Sequence, residues 1–187
     1  MVESIRNLEI PSDVYHSWLI VSENRFTEKW KNVAHNMEII RKFALGFDEL
    51  LMVDSDIVIP KDAYITLKKY DADIVLGLYN ERKSRYGSVK PLISYFWNGN
   101  DCDEYIKRGE AFVVKGYFPT GFMLVRGKAL NIEFYPSDFD MRLKIFGVEV
   151  PANSADIPYS KKVHEHGLKV VCAPVWAKHI DVDGVEY

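Results

Sequence analysis

The chain has 187 residues, which suits one domain with one substantial core. Hydrophobic residues make up 48% and charged residues 27%, an ordinary globular balance. With 24 basic against 27 acidic residues the net charge is -3, which disfavours a general electrostatic grip on nucleic acid or on anionic lipid.

Several negative expectations follow from the same reading. The N-terminal MVESIRNLEIP lacks the apolar stretch of a signal peptide, and no apolar run is long enough to span a bilayer. Cys102 and Cys172 lie far apart and form no CxxC pair, so free thiols in a reducing compartment are expected. The expectation is a soluble cytoplasmic protein without a nucleic-acid partner.

In chain order, Ser4 to Leu8 reads as a short helix ended before Pro11. His16 to Val21 (HSWLIV) is an apolar, partly β-branched run and predicts a buried strand. Thr27 to Leu45 is the clearest helix: Trp30, Val33, Ala34, Met37, Ile40 and Ala44 recur at helical spacing, and Gly46 is placed for a left-handed cap. Leu50 to Val53 predicts the next strand, Lys61 to Lys69 a helix and Ile74 to Leu78 a third strand. This alternation predicts right-handed crossovers and a parallel sheet. After a less regular stretch, Phe112 to Gly116 and Phe122 to Val125 predict two strands. Asp156 to His166 predicts a helix with Asp156 as N-cap, Pro158 in its first turn and Gly167 after its end. Lys169 to Ala173 predicts a last strand.

The segment LLMVDSDIVIP carries the most chemistry. Two carboxylates, Asp54 and Asp56, directly follow a buried apolar strand. Open α/β sheets bind ligands beyond the carboxyl ends of their strands. Carboxylates this close repel unless a cation compensates, and Mg²⁺ or Mn²⁺ commonly shares one or two carboxylates with substrate phosphates. The bland alternative is that both residues only shape the following turn. A second alternative is the DxDx[TV] pattern of haloacid-dehalogenase-like phosphatases, with Asp54 as nucleophile and Asp56 as general acid/base. That motif usually stands on a first strand and needs a second acidic pair. Here a long helix precedes it, and the later doublet Asp181 and Asp183 lies in a polar tail.

Three segments in order resemble the GT-A glycosyltransferase fold. They are FDELLMVDSDIVIPKDAYITLKKYDADIVLGLYNERKS, YFPTGFMLVRG and SADIPYSKKVHEHGLKVVCAPVWAKHI. The resemblance covers roughly Ser4 to Asp181 and is similar in character to small archaeal and crenarchaeal viral members. It implies a single α/β domain over 1–187 with a mostly parallel, Rossmann-like central sheet flanked by helices. A nucleotide-sugar half would occupy about 1–80 and an acceptor half about 81–187. It implies sugar transfer from a nucleoside diphosphate sugar to a hydroxyl acceptor on a glycan or glycoprotein, with Mn²⁺ or Mg²⁺, in the cytoplasm of the cell or of a viral host.

By the same resemblance, Asp54, Asp56 and His179 would hold the metal and Asp156 would be the catalytic base of an inverting enzyme. Thr120, Gly121 and Phe122 would line the place where donor sugar meets acceptor, and Arg82 would contact the diphosphate or the acceptor. Asp138 and Asp140 are alternatives for the base. One departure stands out: HSWLIV looks like the family's second strand. Either the first strand is missing from this chain, or base recognition is unusual. A non-catalytic nucleotide- or sugar-binding module is the alternative from outside the enzymes.

Overall fold

The computed structural model describes residues 2–23, 25–81, 90–96, 101–134, 142–145, 148–151 and 154–180. Its first elements are helices α1 (Val2–Arg6) and α2 (Lys29–Ala44), strands β1 (Glu49–Val53) and β2 (Ile57–Val58), helix α3 (Ala63–Lys68) and strand β3 (Ile74–Leu78). Helices α4 (Ile93–Phe96) and α5 (Asp101–Arg108) follow, then strands β4 (Phe112–Val113), β5 (Phe122–Arg126), β6 (Arg142–Ile145) and β7 (Val148–Pro151). Helix α6 (Asp156–Glu165) and strands β8 (Val170–Trp176) and β9 (Lys178–His179) complete the order.

Five strands form one sheet in the order β1-β5-β3-β8-β4. Only β3 and β8 pair in parallel; β1–β5, β3–β5 and β4–β8 are antiparallel. The fold is mixed α/β, and the expected mostly parallel sheet is corrected to a mostly antiparallel one. The expectation assumed that strands consecutive in sequence are neighbours in space. β1 and β3 do run the same way across α3, but β5 returns from a long excursion and inserts between them, antiparallel to both. As a result β1, β3 and β8 all end at one edge of the sheet, and β5 begins there.

Both faces of this sheet are covered. Alternate residues of β3 and β5 supply the two cores. Ile74, Leu76, Met123 and Val125 pack against Ala34 and Met37 of α2, Cys102 of α5 and Val163 of α6. Val75, Phe122 and Leu124 pack against Ala63, Tyr64 and Leu67 of α3. Gly77 lets β3 carry the Phe122 ring flat on its backbone, because a Cβ there would lie 2.0 Å from that ring. Glu38 and Arg41 of α2 form a buried ion pair, and together they bind the Leu130 carbonyl and the Phe134 N–H. No helix among the described residues is long and apolar enough to cross a membrane.

Two local expectations are corrected. His16 to Val21 forms no strand, and Trp18, Leu19 and Ile20 stay 50%, 40% and 54% exposed. A groove of about 970 Å³ lies between this segment and β1, so the segment finds no ladder partner there. Strand propensity reflects side-chain fit and does not itself satisfy backbone N–H and C=O groups. At the end of α2, Leu45 continues in right-handed geometry (φ -60°, ψ -17°), and Gly46 is not among the positive-φ glycines. Left-handed glycines at helix ends occur instead after α5, at Gly109 with φ 66°, and after α6, at Gly167 with φ 67°.

Candidate functional site

The edge where β1, β3 and β8 end gathers the candidate residues. Val53 pairs with Phe122, and one residue further the Asp54 N–H donates to the Gly121 carbonyl at 2.7 Å. The Ile57 N–H then donates back to the Asp54 carbonyl at 3.1 Å, closing a tight turn over Ser55 and Asp56. Beyond the turn, β2 pairs with β9 so that Ile57 faces His179, and the Ile180 N–H donates to the Asp56 carbonyl at 2.8 Å. Backbone pairing of segments more than a hundred residues apart thus brings Asp56 to His179.

His179 is buried, and its Nδ1 lies 2.7 Å from the Asn80 carbonyl. A carbonyl only accepts, so Nδ1 carries a proton, and in the neutral ring Nε2 is then the nitrogen with the lone pair. Nε2 faces Asp56 Oδ1 at 3.6 Å. That separation is too long for a hydrogen bond. It lets one imidazole nitrogen and one carboxylate oxygen reach a common divalent ion. A ring N–H held by a backbone carbonyl is an arrangement that metal-binding histidines also use. Among the described residues no group of three His, Cys, Asp or Glu side chains is placed to hold an ion. Asp56 and His179 could supply two ligands to a divalent cation, whose remaining ligands would have to come from substrate phosphates and water.

Asp54 points elsewhere. Its carboxylate lies over Gly121, where a Cβ would sit 2.6 Å from Asp54 Oδ2 and equally 2.6 Å from the Tyr79 hydroxyl oxygen. The Gly121 N–H donates to that hydroxyl oxygen at 3.2 Å. Tyr79 is buried at the end of β3, and its ring stands edge-on to His179 with centroids 5.4 Å apart. Burial, then the charges of Asp54 and Asp156, hold its hydroxyl well above the usual phenol range.

Asp156 meets this edge through Thr120, the neighbour of Gly121. The expected N-cap role is corrected: Ala155 occupies the cap position, and Asp156 is the first residue of α6. Its Oδ1 accepts the Thr120 N–H at 3.1 Å and also the Thr120 hydroxyl. Its Oδ2 accepts the Ser154 hydroxyl at 3.0 Å, while the Asp156 N–H donates to that same Ser154 oxygen at 3.1 Å. Burial raises the Asp156 pKa above the ordinary carboxylate value, and the Thr120 and Ser154 hydrogen bonds oppose that rise. A carboxylate raised by burial is better matched to proton transfer near neutrality than an ordinary one.

The structure therefore brings Asp54, Asp56, Thr120, Gly121, Asp156 and His179 to one sheet edge. Phe122 begins β5, but its ring is fully buried on Gly77 rather than lining the edge. Arg82, Asp138, Asp140, Asp181 and Asp183 lie outside the described residues. Sequence reasoning missed Tyr79, Asn80 and Ser154. Tyr79 and Asn80 directly follow the apolar IVLGL, and Ser154 stands two residues before Asp156. The strand-end rule that singled out Asp54 applied equally to the end of β3.

No protein-family model matches the chain, and a search of curated proteins finds no match.

Proposed function

We propose that this chain transfers a sugar from a nucleoside diphosphate sugar to a hydroxyl acceptor. The observation that carries this reading is the meeting at one sheet edge of the Asp56–His179 pair with the half-buried carboxylate of Asp156. A cation site suits the diphosphate leaving group, and a raised carboxylate suits the acceptor hydroxyl. Asp56 and His179 would hold Mn²⁺ or Mg²⁺, which supplies Lewis-acid compensation for the charge that develops on the departing diphosphate.

The remaining steps belong to the chain's own groups. In an inverting transfer Asp156 stands opposite the leaving group and takes the acceptor proton. Oδ1 already accepts two hydrogen bonds from Thr120, so Oδ2 is the oxygen that receives it. The acceptor oxygen bonds to the anomeric carbon as the bond to the diphosphate oxygen breaks, and that oxygen keeps the electron pair. Gly121 leaves room for the Asp54 carboxylate and the Tyr79 hydroxyl, each 2.6 Å from where its Cβ would stand. The proposed setting is the cytoplasm, of the cell or of a viral host; two buried cysteines that form no disulfide suit its reducing conditions.

The test is calorimetry of the purified chain against a panel of nucleoside diphosphates with Mn²⁺, followed by metal-dependent turnover of the matching sugar donor. Binding that requires Mn²⁺ and is lost in Asp56→Ala supports the reading. Binding without turnover under any acceptor points to a binding module. Phosphate release from a phosphomonoester, lost in Asp54→Asn, points to a phosphatase.

A further inference from the structure

Tyr79 touches two parts of this edge: its hydroxyl oxygen accepts the Gly121 N–H, and its ring packs edge-on to His179. The position of a Gly121 Cβ would be shared, at 2.6 Å, by the Tyr79 hydroxyl oxygen and Asp54 Oδ2. Gly121 in turn sits between Asp54, whose N–H bonds its carbonyl, and Thr120, whose N–H bonds Asp156. The hydroxyl is buried with the ring, so solvent cannot easily replace it as the partner of the Gly121 amide.

We infer that Tyr79 is a positioning residue: its hydroxyl anchors the Gly121 peptide between Asp54 and Asp156 and so couples the metal half of the site to the base half. This rests on the transfer reading above. The packing of the ring against His179 is a scaffold contact that phenylalanine retains. The hydroxyl is the coupling element that phenylalanine removes.

The experiment uses Tyr79→Phe in the full chain, with Mg²⁺ alone as probe, followed by backbone amide NMR. In the wild type, Mg²⁺ shifts the amides of Asp56 and His179 and also that of Thr120. In Tyr79→Phe the first two still respond, with affinity within about twofold, and the Thr120 response falls by about half or more. In donor turnover the same variant loses about tenfold or more in kcat with KM unchanged, because the loss falls on the transition state and not on substrate binding. A Thr120 response that persists undiminished in Tyr79→Phe overturns the inference and leaves the transfer reading standing. A merely structural role gives that same result together with a lowered melting temperature. No response at Asp56 or His179 in the wild type removes the metal reading, and the coupling falls with it. Should the phenylalanine variant not fold, 3-fluorotyrosine at position 79 keeps ring and hydroxyl while weakening the acceptor, and a partial loss of the Thr120 response is then expected.

Discussion

Thr120 and Asp156 are joined twice, by the backbone N–H and by the hydroxyl of the same threonine, both donating to Asp156 Oδ1. The threonine is fully buried and immediately precedes Gly121. Asp156 is thus fixed by a group outside its own helix. Replacing Asp156 with Asn removes the proton acceptor and keeps an oxygen for the Thr120 donors. Donor turnover in the presence of acceptor should fall by about 10²–10⁴-fold, the usual worth of a general base. Turnover within tenfold of wild type would mean that the transfer does not use Asp156, as in a retaining reaction.

The same carboxylate makes stability depend on pH in a stated direction. Burial raises its folded pKa above the ordinary 3.8, so between those two values the folded chain binds more protons than the unfolded one. Its contribution favours folding fully below the ordinary value and is lost as pH rises through the folded value. Asp156→Asn lacks that loss. The melting temperature of the variant relative to wild type should therefore climb as pH increases from about 4 towards 7. A difference that is flat or falls with pH would contradict the raised carboxylate.

Asp56 and His179 should dominate metal affinity, with Asp54 the weaker contributor. Only the first two face each other at 3.6 Å, whereas the Asp54 carboxylate lies over Gly121. Asp56→Ala and His179→Ala should each weaken Mn²⁺ binding at least about tenfold, since even outer-shell losses commonly cost that much. Asp54→Ala should cost less in calorimetry. The reverse ranking would show that Asp54 is the principal ligand.

Three glycines provide an internal series. Gly77→Ala drives a Cβ to 2.0 Å from the fully buried Phe122 ring, which has little room to move. Overpacking of this kind costs about 1–3 kcal/mol or more. Gly121→Ala meets the ends of two side chains at 2.6 Å, and these can swing aside, so stability should fall less than in Gly77→Ala while turnover collapses. Gly46→Ala meets nothing within 4 Å and should change stability by no more than about 1 kcal/mol. Urea denaturation of the three variants checks the order.

The buried pair in α2 tests the scaffold separately from the site. Arg41 binds Glu38 through two nitrogens, at 2.8 and 2.6 Å, and donates to the Leu130 carbonyl at 2.9 Å. Arg41→Ala leaves the buried Glu38 carboxylate with only the Phe134 N–H and the more distant, exposed Lys42 as partners, and should cost up to about 3–5 kcal/mol. Chemical denaturation showing less than about 1 kcal/mol would mean that water reaches Glu38 and replaces its partner.

Much of the local structure was legible from residues alone. The period of Ala34, Met37 and Ala44 made α2 readable, since burying one face of a helix leaves a 3.6-residue trace. The unbroken apolar run Ile74–Leu78 marked a strand covered on both faces, and all five residues are buried. The Asp54–Asp56 pair was visible because carboxylates after such a strand are costly without a function or a cap. The same local logic misread HSWLIV, whose composition suits a strand although no ladder reaches it, and Asp156, whose place at a helix start suggested a cap.

The sequence by itself determined which segments bury one face, where strands end and which carboxylates stand at those ends, because these depend on neighbours a few residues away. Only the tertiary structure decided that β5 enters between β1 and β3, that β2 and β9 pair to bring His179 to Asp56, and that Tyr79 and Gly121 lie between the two carboxylate groups. Those relationships are set by hydrogen-bond ladders and packing between segments 40 to more than 100 residues apart. Their free energy appears only when the whole sheet closes, so a short window of residues carries no trace of them.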